Sequence, residues 1–278
     1  MVARPREVNE CRRKAAPRRV ERLIMRLKFV NTQNVKKMMA GMAAIEQRGA
    51  GEACLVVVDG SPGLGKTENV SYLAAQNASA FVRAKREWTP NWMLGELLEA
   101  CGVREKPASF ERKYRLLIEA LSMQAKAAED NGEMFFVGVD ECDYIARSEK
   151  MLSSIRDLSD LVEVPFVLVG MGKVRDSLKR FPQVTSRVGQ YVRFEKMTIE
   201  DTEKVVRGLC EVEVKEDLIA LLHDKSNGYV REVKEGIAHI ERFGKMQGNT
   251  VIGVAEMTGQ VLLNDRETSR PIIVRGGK

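Results

Sequence analysis

Short apolar runs alternate with longer stretches of helical periodicity over the first two thirds of the chain. Continuous hydrophobicity, rather than alternation of apolar and polar positions, is typical of strands buried on both faces of a sheet. The helical stretches between the runs make βαβ crossovers the simplest connection. The pattern therefore predicts an α/β fold around a five-stranded, largely parallel sheet. The predicted strands are Cys54–Val58, Ala80–Val82, Met134–Val139, Phe166–Val169 and Tyr191–Phe194.

The pattern changes to helical spacing alone from Thr198 onward. This change predicts an α/β core over residues 29–197 and a small all-helical lid subdomain over residues 198–265. Residues 266–278 contain Pro271 and a Gly-Gly pair and are expected to form a flexible tail. The predicted helices of the lid lie near Ile199–Cys210, Lys215–Asp224, Val230–Phe243 and Gly253–Leu263.

The composition excludes several classes of protein. With 278 residues, 44% hydrophobic and 30% charged, the chain is long and apolar enough to bury a core without disulfide or metal staples. Its five cysteines include no C-x-x-C pair, so neither a disulfide framework nor a zinc site follows. The apolar runs are far shorter than the ~20 residues that span a bilayer. We expect no membrane contact and, because no apolar stretch follows the first charged residues, a cytoplasmic location.

The positive charge is concentrated at the N-terminus. Residues 1–30 carry ten Lys or Arg and three Glu, a net charge of +7, whereas the whole chain carries +6. A basic arm over residues 1–28 is typical of a segment that contacts a polyanion such as nucleic acid. The same charges are equally compatible with a solvated, frayed terminus, and the sequence leaves both interpretations open.

A glycine-rich run after the first predicted strand matches G-x-x-x-x-G-K-[ST], with a strand before it and a helix after it. Its backbone N–H groups and the following helix N-terminus form a cradle for phosphate oxygens. Lys66 is expected to reach the β- and γ-phosphates of ATP, and the Thr67 hydroxyl to bind Mg²⁺. The residues predicted to surround the nucleotide are Gly60, Ser61, Pro62, Gly63, Leu64, Gly65, Lys66 and Thr67.

An acidic pair, Asp140-Glu141, ends a later hydrophobic strand. The carboxyl ends of parallel strands border the crevice in which open α/β sheets bind ligands. Asp140 is therefore expected to hold Mg²⁺ through water. Glu141 would orient the water that attacks the γ-phosphate, which indicates ATP hydrolysis rather than binding alone.

Arginines complete the predicted catalytic set. Arg231 begins a helix of the lid and is placed to reach the γ-phosphate. Arg187, before the fifth strand, is a candidate finger that enters the site of a neighbouring subunit, where its guanidinium would offset developing charge. Arg175 and Arg180 compete with Arg187 for that role.

The phosphate loop, the Asp-Glu strand end, the arginine before strand five and the Gly-x-x-Arg of the lid together resemble the AAA+ ATPases over about residues 29–265. Within that superfamily the chain is similar to the transposition helper ATPases, the family of MuB, TnsC and TniB. The segments that carry this narrower resemblance are Phe29–Val35, Phe81–Pro90, Val167–Gly170 and Ser186–Phe194.

The resemblance implies an AAA+ P-loop NTPase core and a protein that forms filaments or rings with ATP on duplex DNA, with little sequence preference. Such a protein marks a target site and recruits or stimulates a DDE transposase. By the same resemblance, Val30 and Thr32 would line the adenine pocket. The residues that would contact DNA phosphates are Lys85, Arg86, Arg104, Lys106 and Ser109.

One departure from the AAA+ pattern concerns the end of strand four. Many AAA+ proteins carry a polar residue there, but this chain has Gly170-Met171-Gly172. No sensor residue is assigned, and hydrolysis is expected to be slow and stimulated by DNA or a partner. A replicative helicase loader or another DNA-remodelling AAA+ ATPase remains the alternative function, because it shares the same core motifs.

Overall fold

A computed structural model describes residues 25–26, 28–49, 54–172, 174–248 and 251–276. Most of the predicted basic arm lies outside these residues. None of the helices in the described part of the chain combines the length and apolarity that a bilayer crossing needs.

The core is built on one five-stranded sheet, in which every neighbouring pair of strands is parallel. The strands are β1 (Leu55–Asp59), β2 (Ala80–Arg83), β3 (Val137–Asp140), β4 (Phe166–Val169) and β5 (Val188–Arg193). Their order in the sheet, β2-β3-β4-β1-β5, places the first strand between the fourth and the fifth. The prediction of an α/β fold around a five-stranded parallel sheet is confirmed.

Helices cover both faces of the sheet, which explains why the central strands are apolar throughout. The core helices are α1 (Gln33–Glu46), α2 (Lys66–Gln76), α3 (Pro90–Ala100), α4 (Phe110–Asp130), α5 (Glu149–Val162), α6 (Val174–Leu178) and α7 (Pro182–Thr185). In β1, Val57 packs into the cluster with helices α3 to α5, whereas Val56 and Val58 pack into the cluster with α1 and α2. Side chains alternate between faces along a strand, so each face has its own core.

The lid follows β5 and has a separate hydrophobic core. Thr198 caps its first helix by accepting a hydrogen bond from the backbone N–H of Asp201. In the third lid helix, Val233, Ile237 and Ile240 are fully buried at the spacing of one helix face. The lid helices are α8 (Ile199–Leu209), α9 (Glu216–Ser226), α10 (Val230–Gln247) and α11 (Val254–Met257).

The lid is mainly helical, but the expectation of an all-helical subdomain is wrong in detail. Two short parallel strands, β6 (Glu213–Val214) and β7 (Val251–Ile252), pair beside its helices. The last predicted helix ends early because Gly259 adopts a left-handed backbone with φ of +83°. The chain beyond that glycine forms strand β8 (Val261–Asn264) instead.

The prediction of a flexible tail over residues 266–278 is wrong for residues 266–276, the part of it that the structure describes. Strand β9 (Pro271–Ile273) pairs antiparallel with β8 and closes a hairpin. Val274, only 2% exposed, packs into the lid core. This burial of apolar area offsets the entropy cost of ordering the segment.

Lid and core meet along the edge that carries the phosphate loop. Met197, the last residue of the core, donates its backbone N–H to the carbonyl of Gly228, just before α10, at 2.8 Å. Gln33 at the start of α1 donates its backbone N–H to Asp201 Oδ2 on the lid helix α8 at 2.9 Å. The lid is thus fastened beside the carboxyl end of β1, where the candidate site lies.

Candidate nucleotide-binding site

The phosphate loop connects β1 to α2 and requires glycine at defined positions. A Cβ at Gly60 would lie 2.6 Å from the carbonyl oxygen of Phe194, and the φ of Gly60 is +145°. Gly65, with φ of +83°, directly precedes the helix. These backbone angles are costly for residues with a side chain, and they let the loop curl over the N-terminus of α2.

Lys66 is the buried cation of the loop. It is 8% exposed, and its Nζ donates to the carbonyls of Gly60 at 2.7 Å and Ser61 at 2.9 Å. Burial lowers the pKa of Lys66 from its ordinary value, while the neighbouring carboxylates, Asp143 and Asp140 foremost, oppose that shift. An anion in the cradle would add to the charges that favour the ammonium form.

Asp140 and Thr67 meet at the predicted metal position. The Thr67 hydroxyl donates to Asp140 Oδ1 at 3.1 Å, and Asp140 is 2% exposed. A hydroxyl and a carboxylate are oxygen donors that suit Mg²⁺, which is usually held by one or two protein oxygens together with phosphates and water. The described residues contain no cluster of three or more His, Cys, Asp or Glu that could hold a metal ion. The hydroxyl and the carboxylate present fit a magnesium ion that takes its other ligands from phosphates and water.

Glu141 follows directly in a left-handed backbone conformation, with φ of 55° and ψ of 36°. Such a conformation is unfavourable for a residue with a side chain and recurs at functional sites. It ends β3 and starts the short 3₁₀ turn Cys142–Tyr144. Glu141 and Asp140 both line the cleft beside the phosphate loop.

The structure brings Arg231 of the lid into the same cleft. Its backbone N–H donates to the carbonyl of Gly63 at 3.2 Å, so the first turn of α10 rests on the phosphate loop. Lys234, one turn further along, forms an ion pair with Glu68 on α2. The cleft has a volume of about 340 Å³. It is lined by Pro62, Gly63, Gly65, Lys66, Thr67, Glu68, Asp140, Glu141, Gly170, Met171, Val230, Arg231 and Lys234.

Sequence reasoning missed Arg83, which forms an ion pair with Asp140, the carboxylate predicted to hold Mg²⁺. Its Nε lies 3.3 Å from Asp140 Oδ2. The contact arises because β2 and β3 are neighbours and Arg83 is in register with Asp140. The sequence does show a basic residue at the carboxyl end of a predicted strand. Its contact with Asp140, however, could be predicted only if the strand order were known.

The glycine at the end of β4 is explained by a carboxylate that sequence reasoning also missed. A Cβ at Gly170 would lie 2.1 Å from Val174 Cγ2 and 2.8 Å from Asp143 Oδ2. Asp143 accepts a hydrogen bond from the backbone N–H of Met171 at 2.5 Å. The end of strand four therefore has no room for a side chain, which accounts for the missing polar residue.

Arg187 lies away from the cleft of its own chain. Its carbonyl accepts a hydrogen bond from the N–H of Leu55, at the beginning of β1, and the phosphate loop follows the other end of that strand. At about 3.3 Å per residue, these positions are roughly 16 Å apart. The Arg187 Nε contacts both carboxylate oxygens of Asp160 at 3.0 Å. The prediction that it serves a neighbouring subunit stays a prediction.

The competing arginines differ in their surroundings. Arg175 lies over the ring of Tyr191 at 4.8 Å and lines a second groove that also includes Ser61 of the phosphate loop. Arg180 is exposed in the turn after α6.

The predicted adenine residues line a small apolar cavity on the other side of the loop. Val30 and Thr32 border it together with Leu64 and Val230, and its volume is about 50 Å³. Thr32 also caps α1 by accepting from the N–H of Val35. A nucleobase would need these walls to separate before it entered.

Two of the five predicted DNA-contacting residues, Lys85 and Lys106, line a groove of about 680 Å³ between the end of β2 and the α3–α4 connection. Lys85 lies 5.2 Å above the ring of Trp92, which is 44% exposed, and forms an ion pair with Glu96. Arg86 and Arg104 are exposed nearby in sequence, whereas the Ser109 hydroxyl caps α4 by accepting from the N–H of Arg112.

Residues 47–178 match a family model described as an AAA domain. No curated protein sequence matches the chain. The domain match covers the phosphate loop and the Asp-Glu pair, and an AAA domain implies nucleotide binding.

Solved structures share the fold over most of the chain. The Orc2 protein of Aeropyrum pernix, solved as ADPNP-ADP complexes, is 14% identical with a TM-score of 0.59, over 84% of this chain and 67% of that chain. The Orc1 protein of the same organism, solved in complex with DNA, is 15% identical with a TM-score of 0.56, over 80% of this chain and 63% of that chain. The RuvB Holliday junction branch migration motor of Thermotoga maritima is 18% identical with a TM-score of 0.51, over 82% of this chain and 67% of that chain.

These likenesses establish the architecture of an AAA+ P-loop ATPase core. This chain spans only 63% of the Orc1 chain, so it corresponds to part of that protein. The matched AAA domain contains the phosphate loop and the Asp-Glu pair from which the sequence predicts ATPase activity.

Proposed function

We propose that this chain is an AAA+ ATPase that binds duplex DNA without sequence preference, assembles on it with ATP, and recruits or stimulates a DDE transposase. The observation that supports the nucleotide part is the single cleft that contains Lys66, Thr67, Asp140, Glu141 and Arg231. Five residues from three separate parts of the sequence line this cleft, and together they supply the groups that phosphoryl transfer requires.

Each of these residues has a defined task in that cleft. The loop backbone and Lys66 bind the phosphates, while Thr67 and Asp140 would hold Mg²⁺, which neutralises phosphate charge when bound. Glu141 orients the attacking water and accepts its proton. Arg231 approaches from the lid and stabilises negative charge on the γ-phosphate oxygens.

The groove beside β2 supports the DNA part of the proposal. Lys106 lines this groove and is exposed, and Arg86 and Arg104 are exposed nearby in sequence. Contacts of this kind bind phosphates and therefore give affinity with little dependence on sequence. The A. pernix Orc1 protein, which shares the fold, was solved in complex with DNA.

The transposase partner is the most specific part of the proposal, and it rests on the resemblance to the transposition helper family. A replicative helicase loader has the same core and is the alternative partner class. Capture experiments with a purified DDE transposase and a purified replicative helicase, each with ATP and DNA, separate the two. Retention of the helicase alone would replace the transposition role.

Fluorescence anisotropy with a labelled duplex of arbitrary sequence tests the DNA part. We expect binding at low salt with ATP and much weaker binding with ADP. The double variant Lys85→Gln, Arg86→Gln should weaken binding equally for all sequences and reduce the slope of log K against log salt by about 0.9 for each phosphate that is no longer neutralised. The matched control, Lys126→Gln with Lys150→Gln, removes two exposed cations elsewhere.

The control should keep the slope of the unmodified protein. No ATP-dependent binding by the unmodified protein would overturn the DNA part while leaving the ATPase intact. Equal reductions of affinity in the two double variants would show that the groove beside β2 is not the DNA surface.

A further inference from the structure

The β8–β9 hairpin, in the segment expected to be a flexible tail, returns the chain to the phosphate loop. Its turn is organised by Asp265, which accepts hydrogen bonds from the N–H of Thr268 at 2.7 Å, from the Thr268 hydroxyl at 2.7 Å and from the N–H of Glu267 at 3.1 Å. The hydrogen bonds from Thr268 hold the pKa of the Asp265 carboxyl below its usual range. The turn is therefore an ordered support for the residue beside it, Arg266.

Arg266 connects three parts of the molecule through one guanidinium group. Its Nη2 donates to the carbonyl of Pro62 in the phosphate loop at 2.8 Å. Its Nη1 donates to Glu232 Oε1 on the lid helix α10, also at 2.8 Å. The guanidinium carbon lies 4.0 Å from the centre of the Tyr229 ring. A planar group with several donors is suited to such a junction, and an ammonium group could not reproduce all three contacts.

Glu232 makes this contact energetically significant. The residue is 7% exposed, and its Oε2 has no hydrogen-bond partner in the described part of the chain. A buried carboxylate is tolerated only when a charge or hydrogen bonds compensate it, and Arg266 supplies the ion pair. Since Glu232 follows Arg231 directly, the same pair also fixes the start of the helix that carries Arg231 into the cleft.

The fit of Arg266 against the loop also depends on a glycine. A Cβ at Gly63 would lie 3.0 Å from Arg266 Nη1, and Gly63 has a φ of +88°. Arg266 is not among the residues that line the 340 Å³ cleft, whereas Pro62 and Gly63 are. The guanidinium thus contacts the loop from outside and acts on the cleft through the backbone of Pro62.

We propose that Arg266 is a positioning residue of the nucleotide site, which ties the β8–β9 hairpin and lid helix α10 to the phosphate loop and so keeps the loop N–H groups aimed at the phosphates. The proposal deepens the proposed ATPase function and rests on it for its effect on ATP. The tie itself is a property of the protein without nucleotide and is measured separately.

The test compares Arg266→Ala and Arg266→Lys with Arg270→Ala, a change at an exposed arginine of the same hairpin whose side chain has no polar contact in the described residues. Hydrogen–deuterium exchange of peptides covering residues 60–67 and 229–235 is measured without nucleotide. For Arg266→Ala we expect exchange about tenfold faster in both peptides, since a charge-assisted hydrogen bond to the loop is removed. Arg266→Lys should fall between this variant and the unmodified protein, and Arg270→Ala should match the latter.

Steady-state ATP hydrolysis supplies a second readout. Arg266→Ala should raise KM for ATP about tenfold and change kcat by less than about twofold, because a loosened loop weakens ground-state binding more than it disturbs the catalytic groups. A purely structural role would instead lower the active fraction and therefore kcat at unchanged KM.

Unchanged exchange in Arg266→Ala, or an equal rise in Arg270→Ala, would overturn the proposal. If Arg266→Ala fails to fold because Glu232 is left unpaired, the double variant Glu232→Gln, Arg266→Ala removes that charge and must still show faster exchange in residues 60–67. If the unmodified protein binds no ATP, the proposed function fails, and the exchange comparison alone decides whether the tie exists.

Discussion

Glu141, the carboxylate predicted to orient the attacking water, has an unfavourable left-handed backbone at the end of β3. We expect Glu141→Gln to retain ATP and to slow hydrolysis by about 100-fold or more, because the amide cannot accept a proton from the attacking water. Nucleotide retention and phosphate release are measured on the same preparation. The exposed substitution Glu119→Gln on α4 serves as the control. Normal turnover in Glu141→Gln would contradict the assigned role.

Gly170 shows how a missing side chain is explained by its neighbours. Gly170→Ala should lower the free energy of unfolding by about 1–3 kcal/mol, since its Cβ would overlap Val174 and crowd Asp143. Chemical denaturation measures this change. Gly49→Ala is the matched control, because no atom lies within 4 Å of its added Cβ. Equal stability of the two variants would show that β4 and α6 separate easily.

The residues that could be predicted from the sequence are those whose spacing is local. Lys66 and Thr67 belong to one short motif, and Asp140 with Glu141 ends one hydrophobic run. Arg83 and Arg266 had no such signal, because their partners are distant in sequence. Arg266 lies 204 residues from Pro62, and only the folded hairpin brings the two together.

At the scale of elements, α10 is bounded by two glycines with similar backbone angles but different surroundings. Gly228, with φ of +70°, would place a Cβ 2.6 Å from the carbonyl oxygen of Met197, whereas Gly248, with φ of +64°, has nothing within 4 Å. Alanine at either position adopts an unfavourable conformation, but only Gly228→Ala also pushes Met197, at the end of the core, away from the lid. We expect this variant to be less stable than Gly248→Ala by about 1–3 kcal/mol.

Thermal unfolding and ATP titration check this prediction together. Gly228→Ala should bind ATP more weakly, because Arg231 is carried by the displaced helix, and Gly248→Ala should bind it normally. Similar stabilities and affinities for the two variants would mean that the junction of lid and core can shift without changing the nucleotide cleft.

Element types were predictable where periodicity was long and failed where it was short. The helix α10 shows helical spacing over 18 residues. The run Val261–Asn264 has too few residues to distinguish a helix from a strand, and its pairing partner lies beyond a turn. The α/β class followed from the alternation of elements, but the strand order, which brings Arg83 to Asp140, did not.

At the scale of the whole molecule, Arg187 and the phosphate loop lie at opposite ends of β1. If Arg187 serves a neighbouring subunit, each nucleotide site combines the phosphate loop of one chain with Arg187 of the next chain in a head-to-tail assembly. Arg187→Ala and Lys66→Ala should each be inactive alone. When the two variants are mixed in equal amounts and assemble at random, they should recover about a quarter of the normal ATPase rate. In about a quarter of the subunit contacts, a chain with an intact Lys66 meets a chain with an intact Arg187.

The ion pair with Asp160 requires its own control. Asp160→Asn removes the carboxylate charge but leaves the guanidinium in place, so it should keep ATPase activity if Arg187 acts between subunits. If the mixture of Arg187→Ala and Lys66→Ala instead hydrolyses ATP at the mean rate of the two separate variants, Arg187 has only a structural role within its own chain.

The 50 Å³ cavity bordered by Val30 and Val230 lies where the core segment before α1 meets the lid. If the base of ATP enters here, as the sequence predicts, the core segment and the lid must separate to admit it, so binding of the base and movement of the lid would be one event. A triphosphate without a base would occupy the phosphate loop and leave the lid in place. The protein would then distinguish a complete nucleotide from an inorganic polyphosphate by the position of the lid.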